Sequence, residues 1–356
     1  MLKPHWRGRP IELSFESAFL DSAASPNGGT PPSPRTPQKT SLAIGGPFLR
    51  TFGPRPEGRR DLVVITLDTL RYDMLGAYGR EDAHTPTLDR LAEEGLFVET
   101  AYSTANATSP AHTALFTSLY TKDHRVIDNH TTLHYDALTL AEILRIEGYE
   151  TRACVSVRML QQLSGLSQGF ATFSGPPRGE QTGMETLDDV EAFLPEKAGA
   201  PLFLWVHFFD PHTPYLPPPE AAARIEGADG PPRLREAEIA RYRAEISHTD
   251  DLVTRLLAIL KDRGYHDPVL VIVADHGESL GEHGILFKHE GVHSVVTRVP
   301  LLFHGPGVPA GTRFEQGLAS MVDVMPTAMD LVGVKSDQSL RGISLMPIVR
   351  GLREPR

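Results

Sequence analysis

The chain has 356 residues, 40% of them hydrophobic and 22% charged, with a formal net charge of −10. It is therefore long enough to bury a large core, and it lacks the broad basic surface that would bind a nucleic-acid polymer. The single cysteine, Cys154, excludes an internal disulfide and falls in the strand-like run YETRACVSV as a core thiol. The longest apolar run, LFLWVHFF, is far shorter than the ~20 residues of a membrane span. Glu12 and Glu16 interrupt the stretch that could have served as a signal peptide, so a cytoplasmic protein without a membrane span is expected.

Residues 1–20 read as an N-terminal arm in which IELSF alternates like a short strand, and residues 21–60, centred on GGTPPSPRTPQK, read as a Pro/Gly-rich linker. From residue 61 to 356 short β-rich runs alternate with helical patterns, which predicts an α/β domain with a large, mostly parallel central sheet covered by helices on both faces. The strand candidates are LVVITLD (62–68), TRACVSV (151–157), LFLWVHFF (202–209), VLVIVAD (269–275) and PLLFHG (300–305). Nearly continuous apolar runs suit strands buried on both sides. Thr85, Pro86 and Gly95 bracket one helix, and Thr139 with Glu142 forms a capping box ahead of another that stops at Gly148. A long helix over about 236–263 is expected to bury Ile239, Tyr242, Ile246, Val253, Leu256, Leu257 and Leu260 and to stop at Gly264. Residues 104–120, TANATSPAHTALFTSLY, predict an amphipathic helix with Thr108 at its mouth, either as a cap or as a nucleophile.

In open α/β sheets ligands sit beyond the carboxyl ends of the strands. Three of the strands end there in metal-capable side chains: Asp68, then Asp210 and His212 in HFFDPHTPY, then Asp275 and His276 in ADHGESLGEHG. One such aspartate is an ordinary turn former, but three together with Thr108 point to a shared cation site. Mixed carboxylates and imidazoles suit Zn²⁺ or Mn²⁺, or Mg²⁺ or Ca²⁺ where oxygen dominates, and a cation there would activate the hydroxyl of Thr108.

The blocks VVITLDTLRYDMLGAYG, TSPAHTALFTSLYTKDHRV, FLWVHFFDPHTPYLPP, VIVADHGESLGEHGILFKHE with RVPLLFHGPGV, and MVDVMPTAMDLVGV with LRGISLMPIVRG resemble, in order and spacing, those of the sulfatase family of the alkaline phosphatase superfamily. The resemblance covers about residues 61–351 and implies an alkaline-phosphatase-like fold whose C-terminal subdomain is short or truncated. It also implies Asp68, Asp275 and His276 as metal ligands, with Thr108 as both nucleophile and ligand. His212 and His289 match histidines that hold the anionic group or protonate the leaving oxygen. Lys288 and His112 fall near substrate-binding positions.

Two departures from the family pattern stand out. Formylglycine-forming sulfatases need Cys or Ser followed by x-P-x-R, whereas this chain has Thr108, Ser109, Pro110, Ala111 and His112, so no formylglycine is expected. Thr69 also replaces the second of the paired aspartates. The T-x-P-x-H pattern is similar to that of nucleotide pyrophosphatase/phosphodiesterases, where a second zinc would find its ligands in Asp210, His212 and His289. The expected activity is metal-dependent hydrolysis of an anionic small-molecule sulfate or phosphate ester through a covalent intermediate on Thr108, with one or two ions. The alternatives are transfer of a phosphoryl group to another alcohol, and an inactive binding protein that keeps the fold.

Overall fold

Apolar runs free of charged residues become the middle of the sheet, because a strand covered on both faces leaves no side for a polar residue. The computed structural model describes residues 59–354 apart from 198, 232, 233, 316 and 337. The N-terminal arm with its IELSF strand, and the linker up to residue 58, lie outside the described residues. The main sheet is built from β1 (Leu62–Leu67), β2 (Leu96–Tyr102), β3 (Glu150–Val155), β4 (Thr172–Ser174), β5 (Leu202–Phe208) and β6 (Val269–Ala274). A short hairpin, β7 (Ser279–Leu280) and β8 (Leu286–Lys288), precedes β9 (Arg298–His304), β10 (Thr312–Phe314) and β11 (Ala319–Ser320).

The sheet has nine strands in the order β10-β2-β9-β6-β1-β5-β3-β4, with β11 also paired to β2. All pairings are parallel except those of β9, which runs antiparallel to both β2 and β6. The sheet is thus mostly parallel, as expected, although β9 is reversed and the apolar start of β2, residues 96–98, is broken off by Glu99 and Thr100. Leu67 is in register with both Phe208 and Ala274, so the residues that follow β1, β5 and β6 emerge side by side at one edge.

The principal helices are α1 (Pro86–Glu94), α2 (Thr108–Thr117), α3 (Leu140–Ile146), α4 (Gly183–Phe193), α5 (Arg235–Asp262) and α6 (Met321–Leu331). They cover both faces of the sheet in two sets, α2 with α3 and α6, and α1 and α4 with α5. The capping box of α3 is present, with Glu142 N donating to Thr139 Oγ1 at 3.2 Å and Thr139 N to Glu142 Oε2 at 2.9 Å. At α1 the Thr85 hydroxyl does not cap; it accepts from Gly76 N and donates to Asp89. Helix α5 buries Tyr242, Ile246, Val253, Leu256 and Leu260, whereas Ile239 and Leu257 are only half-buried. The chain leaves α5 through Gly264 at φ +87°, a conformation that costs glycine little.

Helix α2 is not amphipathic. Every residue from Thr108 to Thr117 is buried; the hydroxyls of Thr113 and Thr117 are satisfied inside the helix, donating to Ser109 O and Thr113 O. The cap reading of Thr108 is likewise corrected: the N-cap position belongs to Ala107. The N–H of Ser109 is taken instead by Asn129 Oδ1 at 2.8 Å. With that donor satisfied from another segment, the hydroxyl of Thr108 is free to point elsewhere. Among the described residues no helix is long and apolar enough to cross a membrane.

Candidate active site

Asp68 follows β1, Asp275 and His276 follow β6, and Thr108 opens α2, so the sheet edge and the helix N-terminus converge on one point. Asp68, Asp275 and His276 are buried, with ligand-capable atoms that lie within 4.8 Å of one another. Thr108 Oγ1 donates to Asp68 Oδ2 at 3.4 Å. Asp275 Oδ1 accepts two main-chain N–H groups, from Thr69 at 3.2 Å and His276 at 2.8 Å.

Each carboxylate therefore has one oxygen engaged by protein donors, while Asp68 Oδ1 and Asp275 Oδ2 find no hydrogen-bond partner among the described residues. Two buried carboxylates this close are unfavourable without a counter-charge. Burial and then the neighbouring Asp275 raise the pKa of Asp68, and burial raises that of Asp275.

The imidazoles complete the donor set. His276 Nδ1 lies 3.1 Å from the carbonyl of Gly277, and since a carbonyl can only accept, the ring proton sits on Nδ1 and Nε2 presents a lone pair. That Nε2 is buried without a partner among the described residues. Burial depresses the pKa of His276 to about 3, which keeps the ring neutral and able to ligate. Unpartnered carboxylate oxygens, a neutral imidazole nitrogen and a hydroxyl fit a divalent cation.

The other candidate residues divide. His212 stacks on Phe209 with ring centroids 4.2 Å apart and donates from Nδ1 to Thr213 O, leaving its Nε2 lone pair available. His289 lies between His276 and His212, at ring distances of 4.4 and 5.6 Å. Asp210 does not turn toward this cluster. Its Oδ2 accepts from Gly183 N at 3.1 Å, at the start of α4, and on α5 it faces His248, which offsets part of the effect of its burial, and Glu245, whose pKa it raises. The set Asp210, His212 and His289 is thus not assembled as one group. Lys288 is exposed and paired with Glu290 at 3.0 Å. His112 has no exposed surface; its Nδ1 donates to Thr108 O at 2.8 Å and its ring packs against Trp205 and His207, beneath the nucleophile position.

His207, inside the block FLWVHFFDPHTPYLPP, and Asn129, outside every block, belong to the site region but were given no role from the sequence. A cavity opens beside α2. This cavity of about 540 Å³ is walled by Tyr102, Asn106, Pro110, Ile127 and Val292 among others, without a charged side chain among the described residues. Ala107 and Pro110, on either side of Thr108 in sequence, both line it. Asn106 Nδ2 donates to His289 O at 2.9 Å and ties this wall to the histidine segment.

A mostly parallel sheet whose carboxyl edge carries a buried aspartate–aspartate–histidine group beside a helix-borne hydroxyl defines an α/β protein of alkaline-phosphatase-like architecture. The sequence model of the family named Sulfatase matches residues 60–334, and the chain belongs to the sulfatase family. It is 27% identical over 398 residues to the multifunctional alkaline phosphatase superfamily protein PehA of Trinickia caryophylli, with 82% of this chain and 77% of PehA covered. It is 23% identical to the Delta 4,5-hexuronate-2-O-sulfatase of Bacteroides thetaiotaomicron, over 83% of this chain and 73% of that protein. The crystal structure of the phosphonate monoester hydrolase of Agrobacterium radiobacter shares the fold, with a TM-score of 0.72 at 23% identity over 83% of this chain and 78% of that one.

Proposed function

We propose that the protein is a metal-dependent hydrolase of sulfate or phosphate esters in which Thr108 is the nucleophile. The observation that carries this reading is the position of Thr108 Oγ1, 3.4 Å from Asp68 Oδ2 and at the N-terminus of a fully buried helix. Asp68, Asp275 and His276 would hold the cation together with the Thr108 hydroxyl. Such an ion supplies positive charge that stabilises an alkoxide and the developing charge on the ester.

Thr108 Oγ1 gives up its proton to solvent and bonds to phosphorus or sulfur as the bond to the leaving oxygen breaks. His212 or His289, on the histidine side of the site and carrying a proton taken from solvent, gives it to the leaving oxygen; water then bonds to phosphorus or sulfur, the bond to Thr108 Oγ1 breaks, and the proton lost by the water restores the hydroxyl. The uncharged cavity wall beside Thr108 supports a substrate whose organic part is neutral.

Assay of p-nitrophenyl sulfate, phosphate, phosphate diester and phosphonate with Mn²⁺ or Zn²⁺ tests the reading. Thr108→Ala should lose several orders of magnitude at similar stability, Thr108→Ser should keep measurable turnover, and a trapped adduct should map to the peptide containing Thr108. An active Thr108→Ala protein, or an adduct on Ser109, would refute it.

A further inference from the structure

Residues 202–208 of LFLWVHFF form the fully buried strand β5, and its histidine lies at the centre of a hydrogen-bonded chain. Thr66 of β1 is in direct register with His207 of β5. Because side chains alternate along a strand, Thr66 shares a face with Asp68, and Trp205 shares one with His207. Trp205 Nε1 lies 2.9 Å from Thr66 Oγ1, and Thr66 Oγ1 lies 3.1 Å from His207 Nδ1. His207 Nε2 faces Asp68 Oδ2 at 3.6 Å. Trp205, Thr66, His207 and Asp68 have no exposed surface.

Donor and acceptor chemistry fixes the direction of this chain. The indole N–H can only donate, so Thr66 Oγ1 accepts from Trp205. The remaining hydroxyl proton has one acceptor within reach among the described residues, His207 Nδ1, and leaving a buried hydroxyl unpaired costs about 1–3 kcal/mol. Pairing the hydroxyl makes His207 Nδ1 the acceptor and puts the ring proton on Nε2, against the pull of the main-chain carbonyl of Thr66, which also faces the ring. This is the reverse of His112, His212 and His276, each of which donates from Nδ1 to a main-chain carbonyl. In that form His207 turns an N–H toward Asp68 from Nε2, which has no hydrogen-bond partner among the described residues, and it is then no ligand.

We propose that His207 is a positioning residue for the cation site. Its Nε2–H, with Thr108 Oγ1, engages Asp68 Oδ2 and leaves Oδ1 for the ion. The 3.6 Å separation is just beyond a formed hydrogen bond, and the N–H dipole in a dry interior still favours the ionised carboxylate on which ligation depends. The division matches that of Asp275, whose Oδ1 is held by two N–H groups while Oδ2 is left unpartnered. The inference rests on the reading that Asp68, Asp275 and His276 bind a divalent ion.

The test combines Mn²⁺ affinity with the tautomeric state of the ring in the full-length protein. Long-range ¹H–¹⁵N correlation spectra of histidine-labelled protein, with His207 assigned by the signals lost in His207→Phe, should show the Nε2–H form. Thr66→Val removes the hydroxyl and keeps the shape, so it should shift the ring to the Nδ1–H form. Thr66→Val and His207→Phe should each weaken Mn²⁺ binding roughly 10- to 100-fold. His207→Gln, which keeps a donor, should stay within a few-fold of wild type.

Circular dichroism identifies any variant that fails to fold, and Thr66→Val, which leaves the ring in place, keeps the test decisive if His207→Phe does. An Nδ1–H ring in the wild type, or wild-type Mn²⁺ affinity in folded Thr66→Val, overturns the proposal. A wild-type protein that binds neither Mn²⁺ nor Zn²⁺ refutes the cation site itself, a result distinct from a wrong tautomer.

Discussion

The main-chain N–H of Thr69 holds Asp275 Oδ1 at 3.2 Å, and it does so from a backbone φ of +52°, which a β-branched residue adopts only when its surroundings require it. Tyr242 supplies that requirement. Its hydroxyl donates to Thr69 O at 2.7 Å and accepts from Arg71 N at 3.1 Å, clamping the turn after β1 from helix α5. Tyr242→Phe should cost about 1–3 kcal/mol, because two buried main-chain groups lose their partner. Urea denaturation measures this, and weaker metal binding should accompany it because the clamp sets the Asp275 donor.

Cation binding should stabilise the fold. At a free Mn²⁺ or Zn²⁺ concentration about 100 times the Kd, the gain should be roughly 2.7 kcal/mol, reversible by chelator. Asp275→Ala and His276→Ala should abolish that gain and the activity together. Thermal melts with and without metal check the first outcome and the ester assay the second.

Glu245 provides a pH dependence remote from the proposed cation. It is buried on α5, its Oε1 accepts from Leu216 N at 2.6 Å, and burial followed by the nearby Asp210 pushes its pKa from 4.5 to about 8. The folded chain thus keeps a proton that the unfolded chain has lost between those values. Its contribution to stability is complete below the unfolded value and is lost as pH rises toward 8, with a slope of up to about 1.4 kcal/mol per pH unit. Glu245→Gln should flatten the curve over this window and be the more stable protein at pH 8. Denaturation curves at pH 5, 6.5 and 8 compare the two.

The cavity rim can be altered without disturbing the core, since Val292 is 85% exposed. Val292→Glu should change stability by no more than about 0.5 kcal/mol. If the cavity receives the organic part of the ester, the same change should raise KM for p-nitrophenyl esters several-fold through repulsion of the anion, with kcat nearly unchanged. Steady-state kinetics at two ionic strengths separates this electrostatic effect, which salt weakens, from a packing effect, which it does not.

The sequence was sufficient where the deciding physics is local. An apolar run that ends abruptly in Asp68 or in Asp275 and His276 marks a buried strand and the residues at its mouth, and Thr139 with Glu142 marks a helix start through groups three residues apart. Strand β2 escaped notice because Glu99 and Thr100 interrupt its apolar pattern, and hydrophobic periodicity does not reveal that β9 runs against its neighbours. Helix α2 reads as one-sided from its apolar spacing, yet it is buried all round; Thr113 and Thr117 on its polar side bond back to helix carbonyls, which makes their burial cheap. Asp210 looks from its motif like a partner of His212, but the N–H of Gly183 claims it. His207 was one polar letter in an apolar run; its tautomer follows from Thr66, 141 residues away in the chain. Which carboxylate oxygen is engaged, and which ring nitrogen carries the proton, depends on donors from distant segments, so those choices belong to the tertiary structure.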